Sequence, residues 1–351
     1  MNERIINFLL ASPLGPLLEI PSLTDITFNG RDIYYQDSKR GRKKSEIHLS
    51  PEEAMNFIRQ IANLSGEQFS VQDPVLDISV KHLRLNAVHP SIGRIDYEKA
   101  VTFAIRKRSG EIIDYEDGKF MPELVKDLLV ASLKIKLTIV ISGRTGTGKT
   151  ELQKYLLTKL PSASRVIVID NILELEDVRN PELDLTIWEC NNWHPQASFS
   201  QLIRNGLRAH PDWLIIAESR GEEMLEVLNA ALGGHPLITT IHAPSLVSCP
   251  SRLTRMVLMG DKNLDYSLVY QDIIHLFPII IHLKARINQR GEIVRYLSSL
   301  GYLAQGNQED LAILYEREGI KSRFYPLPCK LQGLLKEESK LLKRWKEKSR
   351  C

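Results

Sequence analysis

The eight-residue segment 143–150 combines the residue types that bind phosphate. An apolar run at 137–142 precedes it, and a run with helical spacing begins at Glu151. In such a strand–loop–helix pattern the glycines let successive backbone N–H groups turn inward, and the helix N-terminus adds partial positive charge. Lys149 supplies a cation for the β- and γ-phosphates, and the Thr150 hydroxyl is placed to bind Mg²⁺. We therefore predict a nucleotide site at Gly143, Arg144, Thr145, Gly146, Thr147, Gly148, Lys149, Thr150 and Glu151.

Carboxylates stand at the ends of two further apolar runs. The run 213–217 leads directly to Glu218. A carboxylate at this place in a phosphate-loop enzyme orients the attacking water and holds the water shell of the metal ion. Glu218 is therefore the candidate general base and, through water, a candidate Mg²⁺ ligand. The run 165–170 ends in Asp170 and is followed by Glu174, and these two acids either extend the same network or are surface acids on a loop.

Two histidines, His235 and His242, bracket a third short apolar run. Together with Thr239 and Thr240 inside that run, they indicate a sensor of the γ-phosphate. A lone histidine is more often structural, so a structural role stays open for each. No cysteine or further histidine completes a set of zinc ligands around them.

Short apolar runs alternate with helical segments from residue 121 onward. Continuous apolar strands between helices predict an α/β fold with a mostly parallel sheet and helices on both of its faces. The predicted strands are 137–142, 165–170, 213–217 and 237–241.

The first part of the chain predicts a smaller α+β domain. A hairpin is expected around Asn29 and Gly30, because this dipeptide separates two extended runs. Ser50, followed by proline and two glutamates, predicts the start of a helix. Further strands are expected at 83–88 and 101–105.

The domain boundaries follow from these changes of pattern. The stretch 109–120 is polar and carries two glycines, which indicates a linker. After about residue 300 the sequence is expected to be irregular and to end in a basic amphipathic helix, either docked on the protein or bound to a partner or membrane surface. We predict an N-terminal α+β domain at 1–108, a linker at 109–120, the α/β nucleotide-binding domain at 121–300 and a C-terminal extension at 301–351.

Composition narrows the class of protein. The net charge of +3 is too mild to indicate nucleic-acid binding without a concentrated basic stripe. The basic run 39–44 is expected to be a solvated turn. The apolar runs are too short to span a bilayer. The cysteines are far apart, which favours a reducing compartment and argues against disulfides or a zinc ribbon; they are Cys190, Cys249, Cys329 and Cys351.

Taken together, these motifs resemble the type II/type IV secretion ATPase superfamily of traffic and pilus motors. The N-terminal segments 23–30, 85–88 and 101–107 look like its conjugation and Tad-pilus branch, and the cysteine-rich zinc insert of the type II branch is absent. Four boxes of the family occur in order, namely the Walker A loop at 143–150, the acidic box at 165–175, the Walker B region at 204–221 and the histidine box at 234–245.

The resemblance implies a RecA-like core that hydrolyses ATP with Mg²⁺ between the subunits of a homo-hexamer. Glu218 matches the Walker B glutamate and His242 the histidine-box residue. Arg204 and Arg208 match the family's arginines before Walker B, and Arg106 matches an N-domain arginine that reaches the nucleotide. Such arginines can neutralise the charge that grows on the transferred phosphoryl group.

The resemblance also implies partners and a place in the cell. The expected partners are further copies of the chain and inner-membrane platform proteins of a secretion or pilus machine, without stable nucleic-acid binding. The expected location is the cytoplasm, peripherally at the inner face of the membrane.

Three departures from the family pattern affect the site. The acidic box reads Asp170-Asn171 in place of Glu-Asp, Ala217 replaces a glycine before the Walker B glutamate, and Pro244 stands where the family often has asparagine. The altered acidic box motivates an alternative, a nucleotide-gated assembly platform with little turnover. A nucleic-acid helicase or packaging motor is a third possibility, since RecA-like cores serve there too.

Overall fold

A computed structural model describes residues 2–107, 115, 117–178, 180–191, 194–304, 310–319 and 321–350. The chain divides into two compact units: unit 1 comprises Met1–Ile112 and Arg286–Val294, and unit 2 comprises Ile113–Ala285 and Arg295–Cys351. Most of the predicted linker 109–120, namely 109–114 and 116, lies outside the described residues.

Unit 1 contains a six-stranded sheet in the order β3-β2-β1-β8-β5-β4 and a two-stranded ribbon, β6-β7. Its helices are α1 (Asn2–Ala11), α2 (Gly15–Leu18) and α3 (Pro51–Ser65). Its strands are β1 (Leu23–Phe28), β2 (Ile33–Asp37), β3 (Gly41–Lys44), β4 (Val75–Val80), β5 (Leu83–Val88), β6 (Arg94–Ile95), β7 (Glu98–Lys99) and β8 (Thr102–Lys107). β1 and β2 form the predicted antiparallel hairpin.

Helix α3 begins as the sequence predicts. The Ser50 hydroxyl accepts a hydrogen bond from the Glu53 N–H at 3.2 Å, and Glu53 Oε2 accepts one from the Ser50 N–H at 2.8 Å. This capping box satisfies two backbone donors that a helix start otherwise leaves without partners. Phe57 and Ile61, which are four residues apart and therefore on one face, lie in the core of unit 1.

Unit 2 contains a nine-stranded sheet in the order β11-β10-β12-β13-β9-β14-β15-β16-β17. Its helices are α4 (Glu123–Lys134), α5 (Lys149–Thr158), α6 (Phe199–Arg208), α7 (Met224–Leu232), α8 (Cys249–Gly260), α9 (Tyr266–Leu276), α10 (Cys329–Leu334) and α11 (Ser339–Lys348), with 3-10 turns at Glu174–Asp177 and Pro195–Ala197. Its strands are β9 (Ile139–Gly143), β10 (Arg165–Asp170), β11 (Asp184–Glu189), β12 (Trp213–Ser219), β13 (Leu237–Ile241), β14 (Ile279–Ile287), β15 (Ile293–Leu303), β16 (Leu311–Glu318) and β17 (Lys321–Phe324).

The first six strands of this sheet are parallel to one another, as predicted. Their side chains alternate between two apolar cores: Ile139 and Ile141 belong to one core, while Val140 belongs to the other. Helices α4 and α5 contribute to the first core, and α7, α8 and α9 to the second. The protein therefore has a mixed α/β fold in which the carboxyl ends of the parallel strands meet at one edge of the sheet.

The prediction of irregular structure after about residue 300 is wrong. β15 continues to Leu303, and β16 and β17 extend the sheet by antiparallel pairing. Leu314 and Tyr315 are fully buried, whereas three of the four residues of β17 are exposed. Edge strands of this kind keep many polar residues at the surface, so their sequence lacks the continuous apolar run that marks the central strands.

The C-terminal helix packs on the protein, which is one of the two alternatives that the sequence left open. In α11, Trp345 is buried and its Nε1–H donates a hydrogen bond to the Tyr325 carbonyl at 2.9 Å. Arg344 forms an ion pair with Asp127 of α4 at 2.8 Å. Across the described part of the chain, no helix has both the length and the apolar character needed to cross a membrane.

Candidate active site

The segment 143–150 connects the end of β9 to the start of α5 and has the backbone of a tight loop. Gly146 and Gly148 adopt φ angles of +77° and +92°, a region that favours glycine. A Cβ atom on Gly143 would lie 2.6 Å from Thr147 Oγ1 and 2.8 Å from the Leu283 carbonyl oxygen. A glycine is therefore required at 143, because the backbone of β14 passes too close for a side chain.

Lys149 lies inside this loop and is 9% exposed. Its Nζ donates to the carbonyl oxygens of Gly143 at 3.3 Å and Arg144 at 3.4 Å. The Thr147 hydroxyl also donates to the Arg144 carbonyl, at 2.7 Å. The half-buried Thr150 follows in the first turn of α5. The Lys149 ammonium group is thus held next to the backbone that would surround a phosphate.

His242 lies between Lys149 and Glu218. Its Nδ1 is 3.3 Å from Lys149 Nζ, and its Nε2 is 2.6 Å from Glu218 Oε1. Burial lowers the pKa of His242 and the positive charge of Lys149 lowers it further, against the opposite effect of Glu218. Because an ammonium group can only donate, the contact with Lys149 favours the tautomer in which Nδ1 accepts and Nε2 carries the proton.

The carboxylate of Glu218 stands at the end of β12 and is mostly buried. Its Oε2 accepts a hydrogen bond from Arg220 at 2.7 Å. Its Oε1 is close to His242 but lacks the alignment of a hydrogen bond, so this buried oxygen has no hydrogen-bond partner within the described residues. Such an atom is suited to accept a hydrogen bond from a water molecule or from a ligand's water shell.

Asp170 is buried at the end of β10, and the structure uses both of its oxygens locally. Oδ1 accepts from the Ile172 N–H at 2.9 Å and Oδ2 from the Leu175 N–H at 3.1 Å. These bonds shape the turn that leads into the 3-10 segment beginning at Glu174. Since β10 and β12 are parallel, this turn and Glu218 lie at the same edge of the sheet.

His235 is not brought to this site. It precedes β13, whereas His242 follows that strand. At about 3.3 Å per residue, the intervening chain places them roughly 20 Å apart, at opposite edges of the sheet. The structure therefore separates the two histidines that the sequence suggested as a pair.

The predicted arginines belong to other elements than the loop. Arg204 of α6 forms an ion pair with Glu226 of α7 at 2.5 Å. Arg208 is the exposed last residue of α6, and this helix leads into the start of β12 rather than its end. Arg106 belongs to β8 in unit 1, and its proposed reach to the nucleotide stays a prediction.

Three hydrogen bonds near the loop were not foreseen from the sequence. Arg295 Nε donates to the Gly146 carbonyl at 2.8 Å, across 149 residues of chain. Behind the loop, the buried Ser142 hydroxyl donates to the Ile281 carbonyl at 2.7 Å and accepts from His282 Nδ1 at 2.9 Å. Burial, aided by the positive charge of Lys284, lowers the pKa of His282 to about 4.

The sequence matches the family described as "Type II/IV secretion system protein" over residues 68–290, which is more than half of the chain. The chain belongs to this family. This secretion-family chain is 25% identical over 307 residues to the type IV secretion system protein VirB11 of Brucella suis, covering 79% of this chain and 85% of VirB11. It is 25% identical over 291 residues to a putative conjugal transfer protein of Mycobacterium tuberculosis, covering 78% of this chain and 79% of the relative.

Solved structures share the fold. The ATPase DotB of Legionella pneumophila superimposes with a TM-score of 0.60 at 18% identity, covering 87% of this secretion-family chain and 81% of DotB. The pilus retraction motor PilT with bound ADP gives a TM-score of 0.56 at 18% identity, covering 94% and 88% of the two chains. The superfamily and the enzyme class predicted from the sequence, a secretion ATPase, are confirmed.

Proposed function

We propose that the chain is a Mg²⁺-dependent ATPase that powers a protein secretion, conjugative transfer or pilus assembly machine. One observation carries the proposal: Lys149, His242 and Glu218 are in consecutive contact beside the 143–150 loop, and a buried oxygen of Glu218 is left to accept a further hydrogen bond. A phosphate-binding cation and a candidate base are thereby held in one site.

In this mechanism the loop N–H groups and Lys149 bind the phosphates of ATP. Glu218 takes a proton from the water that attacks the γ-phosphate. The neutral ring of His242 packs against Glu218, with Nε2 2.6 Å from Oε1, and keeps that carboxylate oriented. Arg220 holds the other carboxylate oxygen at 2.7 Å, which limits the rotation of the side chain.

The residues present fit a magnesium ion delivered with the nucleotide. Mg²⁺ keeps several waters and takes only one or two protein ligands besides substrate phosphates. The Thr150 hydroxyl would bind it directly, and the buried Glu218 Oε1 would accept from its water shell. When bound, the ion would neutralise charge on the phosphates.

We further propose a RecA-like core that acts in a ring, most simply a hexamer. Arg208 is exposed and lies toward the edge of the sheet opposite the loop, and His235 lies near the same edge. These positions support contact with a second subunit. Arg204, now paired with Glu226, and Arg106 of unit 1 are proposed to approach a nucleotide in the assembled ring.

The domain plan and surroundings are also proposals. We propose an N-terminal α+β domain to residue 108, a linker at 109–120 and an ATPase domain from 121, whose sheet continues to Phe324. Relatives named for type IV secretion and conjugal transfer support membrane platform proteins as partners and a cytoplasmic location at the inner face of the membrane.

Steady-state ATP hydrolysis with Mg²⁺ tests the function, beside Lys149→Ala and Glu218→Gln. We expect turnover in the parent, loss of both binding and turnover in Lys149→Ala, and retained ATP binding with a drop in turnover of roughly 10²–10⁴-fold in Glu218→Gln. Parental turnover in Glu218→Gln would exclude this glutamate as the base.

A nucleotide-gated assembly platform is the second candidate function. Both Asp170 oxygens are engaged by backbone N–H groups, and Asn171 replaces an acid of the family's box, so this box contributes less negative charge to the site. Tight ATP binding that changes the oligomeric state, without measurable turnover in the parent, would favour this function. Turnover that Glu218→Gln abolishes would rule it out.

A further inference from the structure

Arg295 reaches the phosphate-binding loop from another strand of the sheet. It lies on β15, and β14 separates that strand from β9, which leads into the loop. Its Nε–H donates to the Gly146 carbonyl oxygen at 2.8 Å. Residue 295 lies beyond the 68–290 stretch that matches the family.

This bond ends on the carbonyl at the tip of the loop, whereas the internal bonds end on carbonyls at its start. Lys149 and Thr147 donate to carbonyls at the start of the loop, those of Gly143 and Arg144. Gly146 stands at the tip with a φ of +77° and no heavy atom within 4 Å of its Cβ position. The Thr147 N–H, which belongs to the same peptide group as the Gly146 carbonyl, donates to the Arg144 carbonyl at 3.4 Å, a long bond. The bond from Arg295 therefore adds a shorter restraint to this peptide group.

The Gly146 carbonyl belongs to the same planar group as the Thr147 N–H. Because a peptide group is rigid, fixing its oxygen also fixes the direction of its N–H. A loop of this type binds phosphate through such N–H groups, whose directions must match the phosphate oxygens.

We propose that Arg295 is a positioning residue for the phosphate-binding loop. Its Nε–H bond orients the Gly146–Thr147 peptide before a nucleoside di- or triphosphate arrives. The inference rests on the proposed function, because it requires that the loop binds polyphosphate.

Two substitutions separate the hydrogen bond from the charge of Arg295. In Arg295→Gln, Nε2 stands the same number of bonds from Cα as arginine Nε, so a donor remains while the charge is lost. In Arg295→Met, a methyl group takes that position and the donor is lost as well. Arg317→Met is the matched control, since Arg317 of β16 in the same sheet donates to a different backbone carbonyl, that of Lys119, at 2.6 Å.

The measurements are the Kd for ADP, the KM and kcat for ATP, and the melting temperature without nucleotide. We expect Arg295→Met to raise the Kd and KM roughly two- to tenfold, the effect of one hydrogen bond, with a smaller change in kcat. Arg295→Gln should remain near the parent, and Arg317→Met should bind ADP like the parent.

Three results would overturn the inference. Equal weakening in Arg295→Gln and Arg295→Met would assign the effect to charge. Unchanged ADP binding in Arg295→Met, with or without a loss of melting temperature, would leave only a structural role. If the parent does not bind ADP, or if Lys149→Ala binds ADP as well as the parent, the proposed function is overturned too. If Lys149→Ala loses ADP binding but Arg295→Met does not, only this inference is overturned.

Discussion

His242 Nε2 lies 2.6 Å from Glu218 Oε1. The other ring nitrogen faces the Lys149 ammonium at 3.3 Å, so the ring is held between a cation and a carboxylate. The contact with Lys149 favours the tautomer with its proton toward Glu218. The histidine therefore connects the phosphate-binding part of the site to the candidate base.

Replacing His242 by glutamine should uncouple these two parts. We expect kcat for ATP to fall roughly ten- to a hundredfold, because a small misplacement of the base is costly, while the Kd for ADP changes little. The control His275→Gln, at an exposed position of α9, should leave both unchanged. A parental kcat in His242→Gln would show that the ring does not orient Glu218.

His282 should make stability depend on pH. Its pKa in the folded protein is about 4 against an ordinary 6.5, so the unfolded chain binds the proton more readily. The neutral ring of His282 therefore contributes its full stabilisation above pH 6.5. This contribution, at most about 3 kcal/mol, is lost as the pH falls toward 4. Urea unfolding at pH 7 and pH 5 measures the loss.

The matched variant for this titration is His282→Asn. Asparagine Nδ2 can replace His282 Nδ1 as the donor to Ser142, but it does not titrate. We expect lower stability at pH 7 and a smaller loss between pH 7 and pH 5 than in the parent. The same loss in both proteins would mean that carboxylates alone cause the acid sensitivity.

Two glycines of the loop should respond differently to alanine. Gly143→Ala places Cβ 2.8 Å from the Leu283 carbonyl oxygen, so the free energy of unfolding should fall by about 1–3 kcal/mol and ADP binding should weaken. In Gly146→Ala the new Cβ has no neighbouring atom within 4 Å, so only the positive φ lowers the free energy of unfolding, by about 1 kcal/mol. Urea unfolding and ADP binding measure both effects, and equal losses would contradict the steric explanation.

Asp170→Asn tests whether this carboxylate mainly shapes the turn. Asparagine offers one acceptor for the two N–H groups of Ile172 and Leu175, so unfolding should become easier by about 1–3 kcal/mol. Asn171→Asp is the control, because it adds an acid without touching either bond. If Asp170→Asn kept its stability but lost Mg²⁺-dependent turnover, Asp170 would belong to the catalytic groups instead.

The features that local sequence determines were predictable. The strands 165–170 and 237–241 begin and end where the sequence placed them, and Ser50 and Glu53 form their capping box. These features depend on neighbouring residues, whose apolar runs and capping types are visible in any short window.

Features that depend on distant parts of the chain were not predictable in the same way. No local pattern marks Arg295 as a partner of Gly146. Asp170 has the residue type of both a catalytic acid and a turn former, and only the geometry shows its two backbone bonds. By contrast, the separation of His235 from His242 could have been predicted, because these two residues stand at the two ends of one predicted strand.

The segment Arg286–Val294 belongs to unit 1 although unit 2 precedes and follows it. The Ile293 N–H donates to the Lys39 carbonyl at 2.5 Å, inside unit 1. The two units are therefore not modules that a single cut can separate. A fragment ending near residue 112 would lack part of its own fold, and the complementary fragment would carry that missing piece. Any division of this protein for separate expression should be planned as fragment complementation, with both pieces present from the start.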